Sequence, residues 1–306
     1  MFHILGKTNI DFIGKRYLAF AFSGALLLLG IIAFVAILTG NAKMGIDFSG
    51  GTLIEGNFAQ PVDVARLRSV MSEGGYPDAV IQELQRDIPN SFVIRVKATA
   101  ETGGKVANQL LAVIEKGFSG NPFKMDSVDE VGPSVGEALQ SKARVAVIIS
   151  LLCILAYIWL RFDFRSGVAA TIATFHDVLA VLGIMFILQR EITLLIITAL
   201  LTLAGYSLTD TVVVFDRIRE NLKLFRKKGD FAGTINTSIN EVLSRTIITS
   251  MTVFLVVTVL FFLGGEVLRD FALALMLGVV VGTYSSIFVA SPIVVEWERK
   301  YPKRFK

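Results

Sequence analysis

Long apolar runs separated by short charged stretches dominate the pattern of this chain. A membrane-spanning helix needs about 20 predominantly apolar residues. Six runs reach or approach that length, at residues 17–38, 145–160, 167–188, 192–215, 246–263 and 271–295. The second run is short, but Trp159 and the residues around it can extend it to the membrane interfaces. The first run is too long for a cleavable signal peptide and lacks a small-residue cleavage site, so it is interpreted as a signal anchor.

Residues 39–142, between the first two spans, have a different pattern. Four short segments have strand character, at 52–58, 79–84, 91–97 and 123–131. Two others, 62–74 and 104–117, carry apolar residues at helical spacing, such as Val64, Leu67 and Met71 in the first. The resulting order β-α-β-β-α-β is that of a ferredoxin-like α+β sandwich. This segment has no nucleophile–base pair, no His/Cys metal set and no glycine phosphate loop. It is therefore predicted to bind or to move rather than to catalyse.

The composition supports an integral membrane protein. Of the 306 residues, 53% are hydrophobic and 18% are charged, whereas soluble proteins carry about 25% charged residues. The single cysteine, Cys153, excludes an intrachain disulfide and a CxxC site. The net charge of +4 does not point to nucleic acid, because the basic residues cluster at the ends of apolar runs, as membrane topology requires.

The basic residues also predict the orientation. They are concentrated before span one, between spans two and three, at 217–228 and at 299–306, whereas the loops on the other side hold Arg190 and Arg269 beside acidic residues. By the positive-inside rule both termini are cytoplasmic and the α+β domain is outside. The predicted organisation is residues 1–38 for the cytoplasmic N-terminus and span one, 39–142 for the external domain, 143–295 for spans two to six and 296–306 for a basic cytoplasmic tail. A cytoplasmic loop, 216–245, separates spans four and five, and its amphipathic part at 231–243 is expected to lie at the interface.

Asp210 is the residue that most needs explaining. It lies in span four, and a charged side chain inside a bilayer costs from about 2.5 to more than 10 kcal/mol, so such residues usually mark ion pathways. A proton-carrying carboxylate is the functional interpretation. The alternative is an interfacial aspartate that reaches toward water, since the charged end of the span at Asp216 is only a turn or two away.

His176 and Asp177 lie near the middle of span three. Adjacent residues point about 100° apart on a helix, so they need not pair with each other. A proton relay is one interpretation, because histidine changes charge near neutral pH. A structural hydrogen bond to neighbouring spans is equally compatible with the sequence.

Small residues predict close helix contacts and flexible linkers. Gly205 in span four and Gly278 and Gly282 in span six are expected at helix-packing faces, and a water-lined proton path along span four is the alternative. The pairs Gly50–Gly51 and Gly132–Pro133 flank the external domain, where glycine can adopt positive φ. They are candidate hinges for a domain that swings during transport.

Five strings together resemble the SecF family, the smaller membrane subunits of the bacterial SecDF protein-export complex. They are GIDFSGGT at 45–52, VGPSVG at 131–136, FHD at 175–177, GYSLTDTVVVFDRIREN at 205–221 and NEVLSRTIITS at 240–250. Each string alone is weakly specific. Their joint occurrence, in order and with the expected topology, covers nearly the whole chain.

The resemblance implies a function and a setting. It implies a six-span half of an RND-type transporter in the bacterial inner membrane, paired with SecD and drawing on the proton-motive force to move polypeptides through the SecYEG channel. It also implies association with YajC and indirect contact with SecA. In the family the aspartate matching Asp210 is implicated in proton conduction, and Arg245 is its expected ion-pair partner together with an aspartate of SecD. From the residues alone, the favoured interpretation of Arg245 is a topology anchor at the start of span five, and the resemblance reverses that preference.

Other functions fit the sequence less well. An RND-type exporter of small molecules or lipids would normally show two six-span halves and two large external domains, and this chain has one of each. A membrane scaffold would leave Asp210 as a packing residue. No Walker motif and no nucleophile, base and oxyanion set occurs in the sequence, so we expect neither ATP hydrolysis nor another enzymatic activity, and no cofactor or metal.

Overall fold

The computed structural model describes residues 8–84, 88–97, 106–224 and 230–302. The predicted helix start at Gly104, the basic residues 226–228 and the end of the basic tail at 303–306 lie outside the described residues. The chain divides into two compact units, one formed by Met44–Val145 and the other by Met1–Lys43 together with Ala146–Lys306.

The Met44–Val145 unit is the predicted ferredoxin-like sandwich. After helix α1, which belongs to the other unit, a short helix α2 (Ile46–Ser49) leads into β1 (Gly51–Phe58), α3 (Val64–Glu73), β2 (Val80–Leu84), β3 (Ser91–Val96), α4 (Val106–Gly117) and β4 (Phe123–Val131). The sheet order is β2-β3-β1-β4, and all neighbouring strands are antiparallel. Helix α2 was not predicted, because its single turn has no apolar periodicity.

The core of this unit follows from strand and helix periodicity. Successive strand residues point to opposite faces, so Ile54 of β1 and Ile94 of β3 face the two helices together. There they meet Leu67 of α3 and Leu110 of α4, and all four side chains are fully buried. Helix α3 begins one residue after Asp63, whose side chain caps it by accepting a hydrogen bond from the amide of Ala65 at 3.0 Å.

The two linkers of the α+β unit lie side by side. Gly50 and Gly51 have φ values of 68° and 149°, which favour glycine, and Gly51 pairs with Val131 at the end of β4. Pro133 then opens helix α5 at the position where proline is best tolerated. A Cβ on Gly50 would lie 3.2 Å from Cα of Pro133. The four predicted hinge residues are therefore neighbours, and their movement remains a proposal.

Six helices are long and apolar enough to cross a membrane, counted over the described residues. They are α1 (Arg16–Leu38), α5 (Pro133–Arg161), α6 (Phe164–Ile187), α7 (Leu194–Leu224), α8 (Phe231–Leu263) and a last helix made of α9 (Gly265–Ser285), a π-helical segment (Ser286–Ala290) and α10 (Ser291–Lys300). In their apolar stretches α6, α7 and the last helix are 56%, 50% and 56% buried, against 17%, 11% and 17% for α1, α5 and α8. Helices α6 and α7 and the last helix thus form the centre of this unit.

The amphipathic helix predicted at 231–243 and span five form one continuous helix. Residues 231–263 form the single helix α8, and α7 continues through Leu224, so most of the predicted loop 216–245 is helical. Its only glycine before the end is Gly233 in the first turn, and Asp230 caps that turn by accepting from the Gly233 amide at 2.9 Å. With no breaker in the interior, the amphipathic first turns simply continue into the apolar ones.

The π-helical segment has a local cause. Pro292 has no amide hydrogen, and its ring would clash with the carbonyl four residues earlier in a regular α-helix. The wider turn at Ser286–Ala290 accommodates it, and the Ser291 hydroxyl donates to the carbonyl of Ser286 at 2.9 Å. Span six was predicted as one regular helix because a proline next to a membrane-helix end gives no indication of which adjustment will follow.

We expect Leu110→Ala to destabilise the α+β unit by about 2–5 kcal/mol, because Leu110 is fully buried and the surrounding core cannot collapse onto the cavity. Amide hydrogen exchange of the full chain measures the free energy of opening of the sheet. Val80→Ala is the control, since Val80 is 51% exposed and should change that energy by less than about 0.5 kcal/mol. Equal exchange protection in the two variants would contradict the assigned core.

Candidate functional site

Asp210 lies in the centre of the helical unit and contacts neutral groups. It is 5% exposed. Its Oδ2 accepts a hydrogen bond from the hydroxyl of Ser250 on α8 at 3.2 Å. That hydroxyl also shares a 2.6 Å hydrogen bond with Thr283 on α9. One carboxyl group of α7 is thus joined to α8 and α9 through a pair of hydroxyls, and no lysine or arginine among the described residues forms an ion pair with it.

Asp177 is a second carboxyl group in the same core, and it is fully buried. Its Oδ1 lies 2.9 Å from Nδ1 of His176. Its Oδ2 accepts from Ser285 on α9 at 2.6 Å and also from Ser207 on α7. Helix geometry did not require the adjacent His176 and Asp177 to pair, and in the structure they do bond each other. The structural hydrogen bonds to neighbouring spans are also present, whereas a relay role remains a proposal.

The hydrogen bonds of both carboxyl groups involve α7 and α9, directly for Asp177 and through Ser250 of α8 for Asp210. Ser207 and Asp210 are three residues apart on α7, which places them about 4.5 Å apart along the helix axis. On α9, Thr283, which bonds Ser250, and Ser285, which donates to Asp177, are two residues apart. The hydroxyls of Thr211 and Ser286, which are also buried, lie 3.2 Å apart. A polar seam therefore runs along the contact between α7 and the last helix.

The structure does not bring Arg245 to Asp210. Arg245 is exposed on α8, and within the described part of the chain it forms no ion pair with Asp210. It precedes Ser250 by five residues, which is about 7.5 Å along the axis and about 140° around the helix. The expected Asp210–Arg245 ion pair is thus absent from this arrangement, and the role of Arg245 in proton coupling remains a prediction.

The glycines of the last helix are close-contact positions, and Gly205 is not. A Cβ on Gly278 would lie 2.6 Å from Cδ1 of Leu203, and one on Gly282 would lie 3.0 Å from Cβ of Ser207. These approaches let α9 reach the polar residues of α7. Gly205 is exposed, and no described atom lies within 4 Å of the position of its Cβ. No described helix of this chain packs against Gly205, and its role in helix packing stays a prediction.

Sequence reasoning did not identify the hydroxyl donors of the two carboxyl groups. These donors are Ser250, Ser207 and Ser285. Serine is a common residue type in membrane helices, and which serine meets a carboxyl group depends on how the helices pack. A partial indication existed in span six, where Gly278, Gly282, Ser285 and Ser286 share one helical face. That face was recognised as small and was interpreted mainly as packing.

Two asparagines of α8 hold the segment before α1, and they were also missed. The Asn240 amide accepts from the Ile10 amide and donates to its carbonyl, both at 2.9 Å. The Asn236 side chain accepts from the amide of Phe12 at 2.9 Å. Phe12 and Ile13, which belong to this segment, are buried. These hydrogen bonds hold the first turns of α8, the helix that carries Ser250.

An ion pair and two hydrogen bonds join the end of α7 to the start of α8. Beyond the apolar part of α7, Asn221 donates to Ser238 at 3.0 Å and to Glu241 at 2.6 Å, and Arg217 pairs with Glu241 at 2.7 Å. The end of α7 is therefore attached to the start of α8. Over the described residues, no group of three or more His, Cys, Asp or Glu side chains is placed to hold a metal ion.

Six long apolar helices with ionisable groups buried among them, together with a ferredoxin-like α+β unit, define a polytopic membrane protein with a polar core. The protein family described as "Protein export membrane protein SecD/SecF, C-terminal" matches residues 113–300. The "Protein translocase subunit SecF" of Thermodesulfovibrio yellowstonii is 50% identical over 296 residues, covering 96% of this chain and 97% of the relative. The SecF subunit of Pseudomonas aeruginosa is 37% identical, covering 94% of this chain and 91% of the relative.

Solved structures agree with these sequence relationships. The crystal structure of SecDF from Thermus thermophilus, described as a translocon-associated membrane protein, superposes with a TM-score of 0.81 and 39% identity over 95% of this chain. This chain spans only 39% of the length of that SecDF chain. It belongs to the SecD/SecF family of protein-export membrane proteins, as a SecF-type member.

We expect Gly278→Val to lower the thermal unfolding midpoint of the full chain in detergent, by an amount that corresponds to about 1–3 kcal/mol of overpacking against Leu203. Gly205→Val makes the same change of residue type at a position with no described neighbour, and it should leave the midpoint nearly unchanged. Equal midpoints would contradict the close contact between α7 and α9.

Proposed function

We propose that this chain is a subunit of the accessory complex of the Sec protein translocase, which uses the proton-motive force to promote polypeptide export. It works with a SecD partner in the bacterial inner membrane, with both termini cytoplasmic and the α+β domain outside. The exported polypeptide passes through the SecYEG channel, with YajC associated and SecA acting from the cytoplasm. Family membership and the likeness to SecDF support the role in Sec translocation and the SecD partner. The proton coupling rests on the geometry around Asp210.

The observation that carries the coupling is that Asp210 is buried and contacts only neutral donors. A carboxylate in this position is stabilised by one described hydroxyl and leaves its charge uncompensated within the described chain. A proton removes that charge, and a cation brought by another subunit would compensate it. Moving one elementary charge across 100 mV yields about 2.3 kcal/mol, which is enough to change the preferred arrangement of a few helix contacts.

The arrangement indicates how a proton could move helices. Ionised Asp210 accepts from Ser250, and this bond draws α8 toward α7. When Asp210 takes up a proton, its hydroxyl becomes a donor, and Ser250 and Thr283 must redistribute their hydrogen bonds. Each proton cycle would therefore alter the contact among α7, α8 and α9. The neighbouring linker residues Gly50, Gly51, Gly132 and Pro133 would take up any resulting swing of the α+β domain.

We expect Asp210→Asn to reduce proton-gradient-dependent export about tenfold or more, because the amide cannot take up or release a proton in the accessible pH range. Export is measured in vesicles that contain the SecD partner and the translocon, with and without a proton gradient. Asp216→Asn is a matched control six residues along the same helix. Asp216 is partly exposed and pairs with Arg161, so its replacement should change export less than twofold. Undiminished export by a well-assembled Asp210→Asn complex would refute the coupling.

We also expect Arg245 to act with Asp210 in another arrangement of the helices, so that the two substitutions are not additive. A double-mutant cycle compares Asp210→Asn, Arg245→Gln and the double variant in the same export measurement. If the residues act together, the double variant is no worse than the worse single variant. Arg219→Gln, at another exposed arginine, controls for the loss of positive charge. Independent effects that multiply would leave Arg245 as a topology anchor only.

A further inference from the structure

The pair formed by His176 and Asp177 has one group without a partner. His176 is 3% exposed, and its Nδ1 is engaged with Asp177. Its Nε2 is buried and makes no hydrogen bond with any described residue. A buried imidazole nitrogen without a partner is unfavourable, because it has lost its hydrogen bond to water and gained none in return. A residue retained in this state in the centre of a membrane protein calls for a ligand at that nitrogen.

The remaining polar atoms of the cluster are satisfied. Oδ2 of Asp177 accepts from two serine hydroxyls, one on α7 and one on α9, and Oδ1 faces the histidine ring. The cluster therefore has a single open position, at Nε2. Its acceptors and donors are supplied by three helices, α6, α7 and α9, which are the most buried helices of the unit.

Among the described residues, no lysine or arginine that could compensate the charge of Asp177 lies in the apolar stretches of the surrounding helices. Within the apolar stretches that pack against α6, the titratable side chains are Tyr206 and Asp210 on α7 and Tyr284 on α9. The stretch 18–38 of α1 and the π-helical segment have none. The charged residues of these helices lie toward their ends, where several form ion pairs: Arg16 with Glu296, Arg165 with Glu298, and Arg190 with Asp270.

We propose that His176 and Asp177 form a proton-binding dyad that takes up its proton at Nε2 of His176, as a site separate from Asp210. The proposal deepens the proton coupling proposed above and rests on it for its role in export. In the empty dyad one proton bridges Oδ1 and Nδ1, Nε2 has a free lone pair and the net charge is −1. In the loaded dyad an N–H bond forms at Nε2 with a proton from a hydronium ion, whose O–H bond breaks to leave a water molecule, and the net charge is zero. No bond within the protein breaks.

Burial gives the dyad a reason to respond to helix movement. A net charge in the apolar core is unfavourable by several kcal/mol, whereas the loaded dyad carries none. Release of the proton is therefore easier when α6, α7 and α9 separate enough to admit water. The π-helical segment begins directly after Ser285, and such wide turns frequently occur at functional sites. A change of conformation in this segment would therefore act directly on Ser285, which bonds Asp177.

Nitrogen NMR of the full chain in lipid bilayers can test proton uptake directly. The chain has two histidines, so His3→Gln leaves a single labelled ring. We expect Nε2 of His176 to change from unprotonated to protonated as the pH is lowered, while the proton at Nδ1 remains bridged. A ring that stays in one state at every pH at which the chain remains folded would overturn the proposal and would leave the cluster as a structural contact.

Asp210→Asn in the same background tests whether the sites are separate. Uptake at Nε2 that persists in this variant supports two sites, and its loss overturns that claim. Because the NMR measurement does not involve export, it remains informative if Asp210 proves unimportant for export. Failure of the dyad and failure of the proposed function are therefore distinguishable.

A matched pair of substitutions tests the role of the dyad in export. The amide of His176→Asn reaches the position of Nδ1 and can still bond Asp177, but it has no group at Nε2. We expect this variant to keep the thermal unfolding midpoint while proton-gradient-dependent export falls about tenfold. His176→Leu should lower both, since it leaves Asp177 without its partner. Full export by His176→Asn would show that the ring serves only to position Asp177, and would overturn the proposal.

Discussion

The unfavourable free energy of a carboxylate in hydrocarbon is the constraint on which the helical unit depends. Asp177 and Asp210 each require polar partners that the apolar core does not otherwise contain. Hydroxyl groups on neighbouring helices provide them, because serine and threonine are small enough to occupy a helix contact without separating the backbones. Such contacts require close approach, and Gly278 and Gly282 allow it by leaving space for Leu203 and Ser207. The glycines, the hydroxyls and the acids are therefore parts of one arrangement.

The features that depend on local pattern could be predicted from the sequence. Hydropathy identified the six spans, since the bilayer thickness sets their minimum length. Alternation in the strands and helical spacing in 62–74 identified the ferredoxin-like sandwich, including the order of its elements. The burial of Asp210 followed from its position within an apolar run. In each case the relevant physics acts within about 20 neighbouring residues, so the sequence contains the information directly.

The pairing of the site residues could not be predicted, because it depends on how helices rotate and shift against one another. Asp210 bonds Ser250 rather than Arg245, although both lie on α8, because only one of them faces α7. His176 and Asp177 bond each other although they are adjacent on a helix, since the flexible carboxyl group bends toward the ring. Gly205 resembles a packing glycine by residue type, yet its side of α7 faces away from the rest of this chain.

The short separation of Thr283 and Ser285 on α9 has a thermodynamic consequence. One hydroxyl belongs to the arrangement around Asp210 and the other bonds Asp177, and a rigid helix cannot move one without moving the other. Two binding equilibria that share a movable element are linked, and the linkage is reciprocal. If proton binding at Asp210 changes the proton affinity of the Asp177 site by some factor, proton binding at the Asp177 site changes the affinity of Asp210 by the same factor. The last helix would then make two separate acids a single cooperative unit.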